Sequence, residues 1–553
     1  MLNIEINKLK ELLNYSENFI YNKEQADIDK IQEKLKFSTQ FGKETFYNLE
    51  RFYKANEENK LYEDYQLQLK GKQYFKKNPY ILENLRIELN NIKNIRSIFL
   101  NDFYLLDETV LYELKIFILS YYRILDIFNS TNIDISLYNL NLHEIIEIFD
   151  PVNKSSPTFY LNPSIDSELE SLILKREKII NKINIEKNNI ISNYLKNFNI
   201  EFSFEIPKII LKEDSNFENL SKNINNFIIV EDNFIYIKIL PKKNEILLSY
   251  EFELQEIEKK IYDKKTQVLV EISKKIFEKK DYILKAYLNI GLIDSFLTKV
   301  NFAIEINGII PEIDYENFYI EEGRNIFLEE NLKNQNMIYT PLNINISKGL
   351  SILTGSNMGG KTCVLKTIAQ IAYIVHAGLM VPAKKIKIPL FNGIFISGPE
   401  KTLVSEGLSS FGYEIFTLRN VWKEKDNFFL FLFDEPAKGT NPSEGTAIVK
   451  SMAYFLSNSN SFSLISTHYE GIWENISCKK FRIKGIDENA VSKLINIISK
   501  DKFSINDIHN LIDHSVIEIK DKLEVPKSAI TILKLFSFDE YFIQKCYEFL
   551  QKK

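Results

Sequence analysis

The alternation of apolar and polar positions divides the 553-residue chain into stretches of different character. Residues 1–150 place apolar side chains at three- and four-residue intervals, as in ENLRIELNNIKNIRSIFL, with few glycines or prolines. That spacing predicts helices. The opening MLNIEINKLKELLNY reads as an amphipathic helix and not as a secretory signal. Pro, Ser and Asn gather at DPVNKSSPTFYLNPS, residues 150–164, and predict a break. A charged helix over 165–198 follows. FSFEIPKIIL and NFIIVEDNFIYIKIL, within residues 201–245, are β-branched and aromatic and predict strands. From 246 to 290 the pattern predicts one long helix of roughly 60 Å, with Ile257, Ile261, Val268, Ile272 and Ile276 on one stripe. The ordinary meaning of such a stripe is a packed helix–helix seam. Beyond NGIIPEID, short strands and helices alternate to about residue 490, and 491–553 reads as mainly helical.

A chain of this length forms several domains. It is 45% hydrophobic and 26% charged, with a net charge of -5 and a pI near 5.9. That balance gives no global attraction to nucleic acid, although a local basic patch is compatible with it. No apolar run reaches the roughly 18 residues of a membrane span. Cys363, Cys478 and Cys546 are scattered without metal-ligand spacing, so a reducing cytoplasm is the expected setting.

Four elements carry chemistry. LSILTGSNMGGKTCVLKTIAQIAYIV, from Leu350, contains G-x-x-x-x-G-K-[ST] between a strand and a helix. In such a loop Gly355, Ser356, Asn357, Met358, Gly359 and Gly360 wrap backbone N–H groups around phosphate oxygens. Lys361 brings a cation to the β- and γ-phosphates, and the Thr362 hydroxyl can ligate Mg²⁺. The second element is the apolar run FFLFLF, 428–433, which delivers Asp434 and Glu435 to a strand end. Alone, two such carboxylates usually cap a helix or sit in a turn. Beside a phosphate loop they suit metal coordination by Asp434 and water activation by Glu435. The third is FSLISTHYEG, which ends a strand at Thr467-His468, where His468 can sense a γ-phosphate or be structural. The fourth is LSSFGYE, where Ser409 and Ser410 can cap a helix and, in a dimer, approach nucleotide on the other subunit.

With these elements in order, the chain resembles the MutS family. TGSNMGGKT and AGLMVPA are similar to its phosphate loop and continuation, SSFGYE to S-T-F-x-x-E, DEPAKGT to D-E-x-G-R-G-T, and STHYEG to A-T-H-Y. VPKSAITILKLFSFDEYFIQKCYEFL resembles its closing helices, and YLNIGLIDSFLTKVNFAIEINGIIPEI its lever arm and link into the ATPase. The resemblance implies an α+α/β architecture in four parts: a helical N-terminal core (1–164), lever helices with a reduced clamp-like β insert (165–310), an ABC-type P-loop ATPase domain (311–490), and a helical dimerisation tail (491–553). It also implies an ATPase using ATP and Mg²⁺, held at Gly355, Gly360, Lys361, Thr362 and Asp434. Glu435 and His468 serve hydrolysis, and Ser409 acts across a homodimer. Met337 and Tyr339 are adenine candidates by family position, with packing as the alternative.

Two departures bear on the client. Residues 201–245 contain six lysines and no arginine against eight acidic residues, a charge of about -2, which suits a DNA clamp poorly. The Asp-Glu segment reads DEPAKGTNPSEG, with Pro436 and Lys438, and resembles a MutS-related branch regarded as the ATPase of a reactivase for a coenzyme B12-dependent aminomutase. That branch implies aminomutase subunits and a small reactivase protein as partners. The alternatives are a DNA-binding repair or recombination ATPase and a nucleotide-gated scaffold with little hydrolysis.

Overall fold

The computed structural model describes residues 19–49, 52–356, 359–397, 410–486, 512–520 and 538–551, together with positions 530 and 533. The helix expected at 1–15 lies outside these residues, as do Asn357, Met358 and Ser409. The chain divides into two compact units that do not follow chain order. One contains 1–91, 124–137 and 288–553, and the other 92–123 and 138–287.

The first unit is built on parallel strands. Ile394–Ser397, Leu430–Asp434 and Phe462–Ser466 lie side by side, with Ile394 opposite Leu430 and Leu430 opposite Phe462. All three are buried along their whole length, which explains why they read as continuous apolar runs without alternation. The two-residue strand Ile20–Tyr21 adds to the outer side of Ile394–Ser397, a pairing its few residues do not announce. A second group places Gly349–Thr354 parallel to Lys479–Ile486, which pairs antiparallel with Ile512–Glu518. That last strand falls where a mainly helical tail was expected. Seven residues, interrupted by Asp513, His514 and Ser515, are too few for their sequence alone to establish a period. A further sheet has the order Glu312–Ile313, Lys385–Ile388, Asn317–Gly323 and Leu342–Ser347.

Helix Lys361–His376 runs through the core of this unit. It starts at Gly360, whose φ of 97° places it in the left-handed region that favours glycine. Nearly all its later positions are buried, as expected for a helix that is apolar on most sides. Its last residue, His376, is fully buried between Phe19 and Phe391. His376 Nδ1–H donates to the Tyr53 carbonyl at 2.6 Å, and Nε2 accepts from the Phe391 N–H at 3.1 Å. Burial pushes this imidazole down to about 4, outweighing the Tyr53 hydrogen bond. A folded-state value below the unfolded one means that the unfolded chain takes up the proton first. The contribution of neutral His376 is therefore complete above about pH 6.5 and is lost as pH falls toward 4, at up to about 1.4 kcal/mol per pH unit. His376→Gln should be less stable than wild type at pH 7.5, with the gap in urea midpoint closing by pH 4.5. A gap independent of pH would contradict this assignment.

The second unit is dominated by helices Ser167–Phe198 and Glu245–Glu278, which pack along one another. Asp166 and Asn244 cap them by accepting the N–H groups of Leu169 and Leu247. Ile179, Ile183 and Ile190 on one helix and Ile257, Ile261, Val268, Ile272 and Ile276 on the other are buried, the seam that the stripe predicts. The single helix expected over 246–290 is instead two. Glu245–Glu278, about 51 Å long at 1.5 Å per residue, ends at Lys279. Lys280–Glu305 then begins. Lys279 leaves helical geometry at φ -104°, ψ 13°, and no glycine or proline marks the spot.

Between the paired helices, Lys208–Leu211, Tyr236–Pro241 and Phe227–Asp232 form a three-stranded antiparallel sheet with Tyr236–Pro241 in the middle. One face packs on Phe198, Phe202 and Leu220. Ile209, Leu211, Ile228 and Val230 are exposed, and so is Phe234 in the connecting turn. The break at 150–164 is anchored by a buried ammonium. Lys115 Nζ donates to Asp150 at 2.5 Å and to the carbonyls of Asn153 and Thr158. Three oxygen partners make its burial tolerable. Among the described residues no helix is long and apolar enough to cross a membrane.

Candidate nucleotide site

Parallel strands in an α/β layer end in a crevice where loops meet, and the candidate residues gather there. Gly349–Thr354 leads into the glycine loop, and helix Lys361–His376 leaves it with its N-terminal N–H groups toward the loop. Lys361 Nζ is buried and donates to the carbonyls of Gly355 at 2.8 Å and Ser356 at 3.2 Å. It also stands 3.2 Å from Glu435 Oε1. Burial pushes the Lys361 ammonium down from its usual range, opposed by Glu435 and Asp434.

Asp434 ends the middle strand, Leu430–Asp434. Its Oδ2 accepts from Thr362 Oγ1 at 2.6 Å, and its Oδ1 accepts from Ser466 Oγ at 2.8 Å. Two hard oxygen donors thus face each other at the loop, the kind of pair that holds Mg²⁺ alongside phosphate oxygens. Among the described residues no group of three or more His, Cys, Asp or Glu offers an all-protein metal site. A cation here would therefore share its shell with a ligand. Ser356 Oγ is buried without a hydrogen-bond partner among the described residues. A hydroxyl left so in a phosphate-type loop fits a site built for an oxyanion.

Glu435 is gripped from several sides. His468 Nε2 faces its Oε1, and Lys438 Nζ lies 2.7 Å from its Oε2. Burial would raise this carboxyl, but His468, Lys438 and Lys361 together hold it well below the usual carboxylate range. Its backbone N–H donates to Ser466, both to the carbonyl and to Oγ. The site therefore presents a cation under the glycine loop, two oxygens fit for a metal, and an anionic carboxylate beside a histidine.

Of the residues singled out from the sequence, the structure brings together Gly355, Ser356, Gly359, Gly360, Lys361, Thr362, Asp434, Glu435 and His468. Of the two adenine candidates, the Tyr339 hydroxyl accepts the Asn325 N–H at 2.7 Å, and burial pushes its phenol up to about 12. The Met337 N–H donates to the Leu332 carbonyl. Sequence reasoning missed His514, whose Nδ1 lies 2.9 Å from the Gly359 carbonyl. Strand Ile512–Glu518 carries it there from 155 residues downstream, with no local motif to signal it.

Known proteins resemble the part of the chain that carries these residues. Residues 351–526 match the family MutS domain V. The DNA mismatch repair protein MutS of Aquifex pyrophilus is 24% identical over 353 residues, 60% of this chain and 39% of that protein. Endonuclease MutS2 of Acetivibrio thermocellus is 29% identical over 191 residues, 34% of this chain and 23% of that protein. Endonuclease MutS2 of Caldicellulosiruptor bescii is 25% identical over 367 residues, 62% of this chain and 44% of that protein. The aligned segments thus span less than half the length of these relatives, and they lend no support to the aminomutase branch. Residues 351–526 are thus similar to MutS domain V, and the chain shares part of its length with MutS and MutS2 proteins.

Proposed function

We propose that this protein is a MutS-type ATPase that couples ATP binding and hydrolysis to movement of its paired long helices, in the service of DNA processing. The observation that carries the reading is the convergence of Lys361, Thr362, Asp434, Glu435 and His468 at one glycine loop. In this scheme the loop Gly355–Gly360 and Lys361 bind the triphosphate. Thr362 and Asp434 hold Mg²⁺, which when bound neutralises charge on the β- and γ-phosphates. Glu435 accepts a proton from the attacking water, with His468 beside the γ-phosphate. In this scheme the phosphates draw Lys361 away from Glu435, which keeps its contacts with His468 and Lys438. The active form is a homodimer in which Ser409 of each subunit reaches the other's γ-phosphate, with the closing helices contributing to the contact. The relatives' names favour DNA as the client.

A protein client is the second reading, with an aminomutase reactivase as its specific form. What favours it is the β insert, with its charge of about -2 and the exposed Ile209, Leu211, Ile228, Val230 and Phe234. Phosphate backbones are gripped by cations, which this surface does not concentrate. Gel shift separates the two. The DNA reading expects binding to mismatched or branched DNA that weakens steeply between about 50 and 200 mM salt. Absence of a shift at the lower salt, with ATP turnover intact, would transfer the assignment to a protein client.

A further inference from the structure

The turn that follows Glu435 adopts a costly backbone. Glu435 has φ 49° and Ala437 φ 60°, left-handed values that cost a residue with a side chain about 1 kcal/mol or more. Such a conformation persists where neighbours over-determine it, and three do. Ser466 takes the Glu435 N–H. The Tyr469 hydroxyl donates to the Ala437 carbonyl at 3.0 Å. Gly445 leaves room for that ring, since a Cβ there would meet Tyr469 Oη at 2.3 Å. The third hold comes from helix Ser410–Trp422: both carboxylate oxygens of Glu414 accept the Ala437 N–H, at 3.1 and 3.3 Å.

We propose that Glu414 is a positioning residue for Glu435 of its own subunit, fixing the turn that aims the carboxylate and tying it to helix Ser410–Trp422. The inference rests on the ATPase reading above. It adds that a helix whose N-terminal end is assigned to the partner's nucleotide also holds the hydrolytic turn of its own site. Motion of that helix then reaches Glu435 through one side chain. Glu414 touches neither phosphate nor water in this scheme. Its removal should therefore alter turnover and leave nucleotide affinity alone.

The test uses the full chain, steady-state ATP hydrolysis, and calorimetric titration with a nonhydrolysable ATP analogue. Glu414→Ala strands the Ala437 N–H and should lower kcat tenfold or more, on the order of what a small misplacement of a reacting group costs, with affinity within about twofold of wild type. Glu414→Gln keeps an oxygen acceptor and should retain at least half of the wild-type kcat, a rescue that simple loss of charge would not give. In mixed dimers with one Lys361→Ala subunit, Glu414→Ala should lower the rate when it lies in the subunit with the intact phosphate loop. Wild-type kcat in Glu414→Ala, parallel loss of affinity and kcat, equal damage in Glu414→Gln, or loss only from the opposite subunit would each overturn the inference. Should Glu414→Ala fail to fold, Tyr469→Phe removes another hold on Ala437 and should show the same split, and unchanged turnover there would overturn it. Failure of the ATPase reading looks different: wild type itself would show no Lys361-dependent hydrolysis.

Discussion

Lys361→Ala is expected to lower ATP affinity by about a hundredfold or more while leaving the unit of residues 92–123 and 138–287 folded. A charged hydrogen bond to phosphate contributes about 1.5–3 kcal/mol, and in a buried loop the loss of its cation adds to this. Lys361 Nζ also joins the Gly355 and Ser356 carbonyls, so alanine slackens the curve of the loop as it removes the charge. No residue of the second unit belongs to this loop. Its helical circular dichroism should therefore persist. Titration with ATP decides the matter, and undiminished affinity would show that the phosphates bind elsewhere.

Glu435→Gln should reduce kcat by about 10²–10⁴, the usual contribution of a positioned general base. ATP affinity should hold or rise. Burial works against the Glu435 charge, while His468, Lys438 and Lys361 stabilise it. Glutamine is close in shape but cannot take the proton, and it no longer competes with phosphate for Lys361. Turnover and nucleotide binding measured on one preparation check this. Hydrolysis at the wild-type rate would remove Glu435 from the chemistry. Loss of turnover with binding retained would reject a nucleotide-gated scaffold that does little hydrolysis.

What could be read from the sequence follows from where the causes are local. The glycine loop was legible because its glycines, Lys361 and Thr362 are contiguous and lie between a strand and a helix. Asp434 and Glu435 were legible because a fully buried strand must be apolar until it emerges. The helix at 165–198 was legible as a charged run after the break at 150–164, while its cap, Asp166, emerges only in the structure. Other features have distant causes. His514 reaches Gly359 only because Ile512–Glu518 pairs with Lys479–Ile486, which in turn pairs with Gly349–Thr354. Glu414 closes the SSFGYE segment in the sequence, but nothing local shows that it takes the Ala437 N–H. In each case a tertiary partner settles what the local pattern leaves open.

The short strand Ile20–Tyr21 has a consequence for how the molecule is made. Its neighbour Ile394–Ser397 lies 374 residues further along, so the ribosome releases one long before the other. The sheet around the nucleotide site cannot close at that edge until most of the polypeptide has emerged, and contacts of such long range are slow to form. A fragment beginning at residue 311 would lack that strand and the Phe19 and Tyr53 contacts of His376. It would present a bare apolar edge, the kind of surface that draws other chains into aggregates.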